Sequence, residues 1–379
     1  MSKLKKRYDI NQCSLYKCKS KNKLIKLLNI NDEIYKDIES IIKYNTFSIP
    51  KKNSVDERII TAPCKLLKNI QRRLLRLIQY IKRPDWLISG EKGKCYIDNA
   101  RKHVNSNYFL TLDIKQFYDN CKREYVYNFF SNRLLMAKDL AKICTDIVTY
   151  KGGIPTGCPT SQLIAFYAYE KMFSKIYDIT RLNNCVYTLY VDDITISSIS
   201  PVGWGKIISD IDCILRSYGH SLKSRKIKYY KLGDSAHITG VNINNHTLKT
   251  PNKIQKSIYY EYIKLLKQSK TNKQSVDQQV IKHIKGELIV ARNIEPGKFS
   301  EINSFIKSIS WWSNRTQGVG DLSTPCLCFF RYYGLTVSLN WLNKLFILSK
   351  QMLFLLKLHI PLRLKQVPLN FVIRNSILW

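Results

Sequence analysis

The sequence predicts an α+β fold: a ferredoxin-like (split βαβ) antiparallel sheet followed by a mainly helical region. Three observations predict it. Elements across residues 108–245 run in the order β-α-β-β-α-β, the order of the split βαβ unit. Two apolar strand segments in that stretch, Tyr108–Leu112 and Cys185–Tyr190, run into aspartates. After residue 252 the chain reads as mostly helical.

In chain order, residues 3–26 carry nine lysines and arginines against Asp9, which reads equally as a solvated arm or a phosphate-binding one. Residues 64–82 read as an amphipathic helix, because Leu67, Ile70, Leu74, Leu77, Ile78 and Ile81 recur at helical spacing with basic residues between them. Pro84 is expected to stop it. Residues 108–114 read as a buried strand ending on Asp113, 122–150 as helices, 152–161 as a turn, and 162–177 as a helix. Residues 185–198 read as two strands joined at Asp192–Asp193, ended by Pro201, Gly203 and Gly205. A helix is expected over 205–218, and strand-like chain over 226–246, broken at Gly233 and Gly240. Pro50 and Pro251 mark expected boundaries. They give a basic arm and helices over 1–50, a core over 51–250, a helical domain over 251–320, and a basic hydrophobic extension over 321–379.

The chain has 379 residues and a net charge of +34, from 62 basic and 28 acidic side chains. That much like charge repels itself in a compact state, and a polyanion relieves it; nucleic acid is the commonest, with an anionic membrane surface as the rival. The 24 Tyr, 14 Phe and 6 Trp offer faces on which bases stack, although aromatic rings also fill cores. The first residues, MSKLKKRYDI, lack the apolar core of a signal peptide. No stretch reaches the ~18 apolar residues of a membrane span; the nearest, 332–356, is interrupted by Lys344 and Lys350. Eleven cysteines without a C-x-x-C pair argue against a zinc site and for reduced thiols, so the expected location is cytoplasmic.

The chemistry gathers at the aspartates. Two adjacent carboxylates between apolar strands repel each other and are costly to bury unless cations compensate. Asp192–Asp193 can be an ordinary polar turn, since Asp favours turns. With Asp113 ending a second apolar strand, however, the three make a two-metal site for in-line phosphoryl transfer.

At this point the residues resemble a family. Tyr190-Val191-Asp192-Asp193 looks like the Y-x-D-D motif of reverse transcriptases, and Asp113-Ile114-Lys115-Gln116-Phe117-Tyr118 resembles their first catalytic motif. The resemblance implies a right-hand polymerase with fingers, a split βαβ palm and a mainly helical thumb. It implies Asp113, Asp192 and Asp193 as catalytic metal ligands, joined by the backbone carbonyl of Ile114, around two Mg²⁺ ions. Tyr118 would be the steric gate whose ring leaves no room for a 2′-hydroxyl. Gly152–Ser161 (GGIPTGCPTS) is similar to the family's P-Q-G-x-P-T-S turn, which backs the incoming nucleotide; Thr156 stands where Gln is usual, and Gly157 keeps the turn. Arg58 resembles the arginine that grips the triphosphate, with a surface ion pair as the alternative. Lys226 stands where the family has a lysine that protonates pyrophosphate; Lys223 and Lys228 compete for that place.

Two further matches resemble retron reverse transcriptases. Asn99-Ala100-Arg101-Lys102-His103 fits their N-A-x-x-H motif, and Ile238-Thr239-Gly240 resembles their V-T-G triplet. These imply RNA-contacting roles for Asn99, His103, Ile238, Thr239 and Gly240, with a scaffold role open for His103. Residues 281–296 look like the thumb segment of the same group. The partners implied are a cognate structured noncoding RNA, its DNA product, deoxynucleoside triphosphates and an effector protein, with no integral membrane segment. Such enzymes prime from an RNA 2′-hydroxyl and make branched multicopy single-stranded DNA in antiphage defence. The alternatives are a non-retron bacterial reverse transcriptase, either group II intron-like or defence-associated, or an RNA-binding scaffold on a polymerase fold. Residues 335–358 read as a basic amphipathic helix that packs on the thumb, docks a partner or lies on lipid.

Overall fold

A computed structural model describes residues 7–50, 57–271 and 277–316 of the chain. The chain divides into two units, Met1–Lys307 and Ser308–Trp379. The expected extension over 321–379, its amphipathic helix over 335–358 and the first six residues of the basic arm lie outside the described residues.

The first unit begins with three short helices, α1 (Lys21–Leu28), α2 (Asp32–Lys36) and α3 (Ile38–Ile41). An antiparallel hairpin follows, β1 (Tyr44–Pro50) and β2 (Glu57–Pro63), and then α4 (Lys65–Ile78) and α5 (Tyr96–Lys102). Helix α4 buries Leu67, Ile70, Leu74, Leu77 and Ile78 on one face, as the spacing predicts. Burying each such side chain contributes about 1.5–3 kcal/mol. The helix ends at Ile78, well before Pro84, because residues 80–82 leave it to pair with the N-terminal segment. Tyr8 N–H donates to the Tyr80 carbonyl at 3.1 Å and Lys82 N–H to the Tyr8 carbonyl at 2.8 Å. Proline is therefore not what stops α4.

The central sheet comes next. Strand β3 (Tyr108–Asp113) leads into α6 (Arg123–Asn128), a π-turn at Phe129–Arg133, α7 (Lys138–Val148) and the long α8 (Ser161–Leu182). Strands β4 (Val186–Tyr190) and β5 (Asp193–Ser198), helix α9 (Trp204–Ser217) and strand β6 (Lys228–Tyr230) complete it. The strand order is β4-β5-β3-β6, with every pair antiparallel, as a split βαβ unit requires. One face carries Leu110, Leu112, Leu189, Ile194 and Ile196 into a core shared with α8 and α9.

The strand-like stretch 226–246 breaks at Gly233 and Gly240, as expected, but its strands do not share one sheet. Only β6 joins the central sheet. Beyond a turn at Gly233 (φ +94°) the chain builds a separate three-stranded sheet of β7 (Ala236–Ile238), β8 (Val241–Asn244) and β9 (Thr247–Lys249). Its own core packs Ile238, Val241 and Ile243 against Ile97 and Ala100 of α5 and Ile294. Helices α10 (Asn252–Thr271), α11 (Gln278–Ile294) and α12 (Ser300–Thr316) follow, as expected for the region after 252. No helix among the described residues is long and apolar enough to cross a membrane.

Candidate active site

Register brings the acids together. Asp113 at the end of β3 pairs directly with Asp193 at the start of β5. Side chains of directly opposed residues share a face with their Cβ atoms about 5 Å apart, and like charges so placed are destabilising by themselves. Asp192 occupies the two-residue turn between Tyr190 and Asp193, which are paired across the hairpin. The turn is tied to β3, since Ile114 N–H donates to the Asp192 carbonyl at 3.2 Å.

Electrostatics follows from that crowding. Burial, then the charges of Asp192 and Asp113, push the Asp193 carboxyl up to about 7. Burial and Asp113 likewise raise Asp192, with Lys226 and Arg58 pulling the other way. A divalent cation at the same place relieves both causes. The side chains gathered here offer oxygen donors, a set suited to hard divalent metals.

Of the three competing lysines, Lys226 is the one whose ammonium reaches the acids: its Nζ donates to Asp113 Oδ2 and forms an ion pair. Burial lowers its pKa, but the hydrogen bond and charge of Asp113, with Asp193 and Asp192, more than offset that and hold it above the usual lysine value. Lys223 meets Asp113 with its backbone, N–H to carbonyl at 2.9 Å. Lys228 lines a groove of about 420 Å³ that opens beside Asp113, Asp193 and Lys226 and includes His237, Thr239 and Gly240.

The residues expected on the nucleotide side come from other elements. Tyr118 lies five residues past Asp113; burial raises its phenol, and the charge of Asp192 adds to the effect. Arg58 is exposed on β2, close enough for its charge to act on Asp192. The turn 152–161 docks against β2. Gly157 N–H donates to the Thr61 carbonyl at 3.0 Å, and a Cβ on Gly157 would lie 2.5 Å from that oxygen, so only glycine fits the approach. Thr156 Oγ1 donates to the Ile59 carbonyl at 3.2 Å and accepts from Thr61 N–H at 3.4 Å, which ties the turn to β2.

The N-A-x-x-H residues correct an expectation. Asn99, His103 and Ile238 are fully enclosed, so none has a surface with which to touch RNA. His103 sits between Ser197 and Thr188, each hydroxyl 2.7 Å from a ring nitrogen. Asn99 Nδ2 donates to Thr195 Oγ1 at 3.4 Å and Thr239 Oγ1 at 3.3 Å. Their role is to join α5 to the two sheets. Thr239 and Gly240 form the β7–β8 turn; both have positive φ (+45° and +91°), the requirement of a type I′ turn. They alone of the triplet residues border the groove.

Sequence reasoning missed Ser89. It is 4% exposed, and its Oγ accepts from Val191 N–H at 2.9 Å. The available signal was the apolar run Trp86-Leu87-Ile88 closed by Ser89-Gly90, which reads as a short strand before a turn.

Comparison with known proteins places the chain. Residues 49–243 match the family described as "Reverse transcriptase (RNA-dependent DNA polymerase)". The chain is 25% identical to Retron Ec83 reverse transcriptase of Escherichia coli, over 74% of this chain and 95% of that protein. It is 26% identical to Retron Se72 reverse transcriptase of Salmonella heidelberg, over 58% of this chain and 60% of the relative. Retron Ec86 reverse transcriptase of Escherichia coli is 27% identical, over 48% of this chain and 58% of the relative. The chain thus spans less than two thirds of the latter two relatives. Among solved structures it is similar to apo telomerase from Candida Tropicalis, at 14% identity and a TM-score of 0.42, covering 56% of this chain and 55% of that one. Matched over just more than half of its length, the chain belongs to the reverse transcriptase family, the RNA-directed DNA polymerases.

Proposed function

We propose that this chain is a retron-type RNA-directed DNA polymerase, which reverse-transcribes a cognate structured noncoding RNA. In this reading the β1–β2 hairpin and the turn 152–161 belong to the fingers, the four-stranded sheet is the palm, and α10 to α12 form the thumb. The observation that carries it is the register pairing of Asp113 with Asp193, with Lys226 seated on Asp113.

Asp113, Asp192 and Asp193, with the Ile114 carbonyl, would hold two Mg²⁺ ions. Bound there, the ions acidify the priming hydroxyl and neutralise the triphosphate and the leaving pyrophosphate. The priming oxygen bonds to the α-phosphorus while the bond to the bridging oxygen of the β-phosphate breaks. Lys226 gives a proton to the departing pyrophosphate. Arg58 grips the triphosphate, Tyr118 excludes a 2′-hydroxyl, and Gly157 backs the nucleotide from the β2 side.

The retron assignment is supported by three curated relatives, each a retron reverse transcriptase, and by the Asn99–His103 motif. It carries with it priming from an RNA 2′-hydroxyl, a branched multicopy single-stranded DNA product, a cytoplasmic location and an antiphage role with an effector protein. RNA folds are read through phosphates, shape and stacked bases. Exposed basic and aromatic side chains such as Lys228, Tyr229 and Lys231 suit that task, where enclosed Asn99 and His103 do not.

The test is to express the chain with its native flanking DNA and seek a discrete RNA–DNA species on a denaturing gel. Its presence, with loss in Asp192→Asn, supports the whole reading. Its absence with intact primer extension leaves the polymerase and removes the retron. Unchanged synthesis in Asp192→Asn removes the site.

A further inference from the structure

The residue between Tyr190 and Asp192 is strained. Val191 has φ +61°, a left-handed backbone that a β-branched residue adopts only when its surroundings impose it. Positive φ at the first central position is the type II′ pattern, for which glycine is the ordinary choice. Here valine fills it, so something must hold the turn.

What holds it is the segment 86–90, which belongs to no named helix or strand but runs parallel to β4. Leu189 N–H donates to the Trp86 carbonyl at 2.9 Å, and Ile88 N–H donates to the Leu189 carbonyl at 3.0 Å. One step further along, where the hairpin turns and a backbone partner is lost, the Ser89 hydroxyl takes over as acceptor for Val191 N–H at 2.9 Å. The segment is itself anchored at both ends. Trp86 packs against Phe166, Tyr177 and Tyr187, with ring centroids 5.9, 6.0 and 5.3 Å away. Gly90 (φ +69°) turns the chain away directly after Ser89. Ser89 is thus buried, fixed from below, and bonded to the one strained residue of the Asp192–Asp193 turn.

We propose that Ser89 is a positioning residue for catalysis. By accepting the Val191 N–H it keeps the turn left-handed and so holds Asp192 and Asp193 in place against Asp113. The proposal rests on the reading of these three acids as the metal-binding centre. Without the acceptor, Val191 can relax toward ordinary backbone angles and displace the two carboxylates that follow it, Asp192 and Asp193. Nucleotide contacts from Arg58 and Tyr118 originate on other elements and are left in place.

The experiment uses the full chain and its Ser89→Ala, Ser89→Cys and Asp192→Asn variants. Poly(rA)–oligo(dT) extension is measured with dTTP and Mg²⁺ titrations, and Mn²⁺ binding is measured by electron paramagnetic resonance. A misplacement of about 1 Å in catalytic geometry costs up to ~10²-fold, so Ser89→Ala is expected to lower kcat by about 10- to 100-fold. KM for dTTP should stay within about threefold, as the loss concerns the chemical step rather than nucleotide binding. Mn²⁺ binding should weaken in parallel with kcat, a change that general loosening of a core serine would not produce selectively. Ser89→Cys keeps the volume with a poorer acceptor, so it is expected to lie between Ser89→Ala and the parent even if the alanine protein aggregates. Parental kcat and Mn²⁺ affinity in either folded Ser89 variant would overturn the proposal while Asp192→Asn remained inactive. Activity in Asp192→Asn would instead overturn the reading of the centre itself.

Discussion

Acid is expected to unfold this protein partly through His103. The imidazole is fully buried between two hydroxyls, and burial, aided by the charge of Lys102, holds its pKa down at about 3. In an unfolded chain the same group titrates near ~6.5. Below that value the unfolded state takes up a proton that the folded state refuses, so the stability due to neutral His103 is fully present above pH ~6.5 and is lost as pH falls toward 3. Between pH 7.5 and pH 5 the linkage amounts to about 2 kcal/mol, against a total of about 5–15 kcal/mol for a typical domain. The assay is urea unfolding at pH 7.5, 6 and 5, followed by near-ultraviolet circular dichroism, for the parent and His103→Gln. The variant loses hydrogen bonds and starts less stable at pH 7.5. Its stability should then fall by about 2 kcal/mol less than the parent's on going to pH 5. His220, held down at about 4 by burial and by Lys122, and the raised Asp192 and Asp193 are present in both proteins and cancel in the difference. Equal pH dependence in the two proteins would refute the assignment of a neutral, buried His103.

Two further outcomes are expected. Gly157→Ala drives a methyl group into the Thr61 carbonyl, 2.5 Å from the added carbon; overpacking of this kind costs about 1–3 kcal/mol, read as a lowered melting temperature together with a raised KM for deoxynucleotides. Tyr118→Ala opens space beside the acids. It should raise ribonucleotide incorporation relative to deoxynucleotide by about 10- to 200-fold, the scale of a steric pocket's discrimination, measured as the ratio of kcat/KM values; an unchanged ratio would make Tyr118 a core aromatic only.

The central sheet was legible because its signals are local. Strands that end on aspartate, a helix of strict apolar spacing and turns at Gly and Pro each declare themselves within a few residues. What failed depended on partners far along the chain. The end of α4 is set by Tyr8, roughly seventy residues upstream, so Pro84 only looked like the stop signal. The stretch 226–246 has strand composition throughout, and composition does not say which sheet a strand joins. The motif implied RNA contact for Asn99 and His103, with a scaffold role open for His103; the hydroxyls that make both of them scaffold residues, Thr188, Thr195 and Ser197, stand some ninety residues away. Ser89 carried almost no sequence signal, since its importance comes from the backbone angle of Val191.

Those polar partners explain how the acids keep their register. Alternation places Asp113, Thr111 and Phe109 on one face of β3, opposite Asp193, Thr195 and Ser197 of β5, with Thr188 and Tyr190 of β4 in the same rows. Helix α5 covers the far end of this face, bonding Thr195 through Asn99 and both Thr188 and Ser197 through His103, while the acids remain at the open end. A one-residue slip of β5 would turn Thr195 and Ser197 into the apolar core and bring Ile194 and Ile196 against the two polar side chains of α5. Buried polar groups without partners are costly enough to forbid that arrangement. An apolar layer would stabilise the interface at least as well, but it would discriminate less sharply against the slipped register. In the proposed enzyme the polar layer beneath the sheet therefore serves catalysis indirectly: it fixes which residue of β5 stands opposite Asp113.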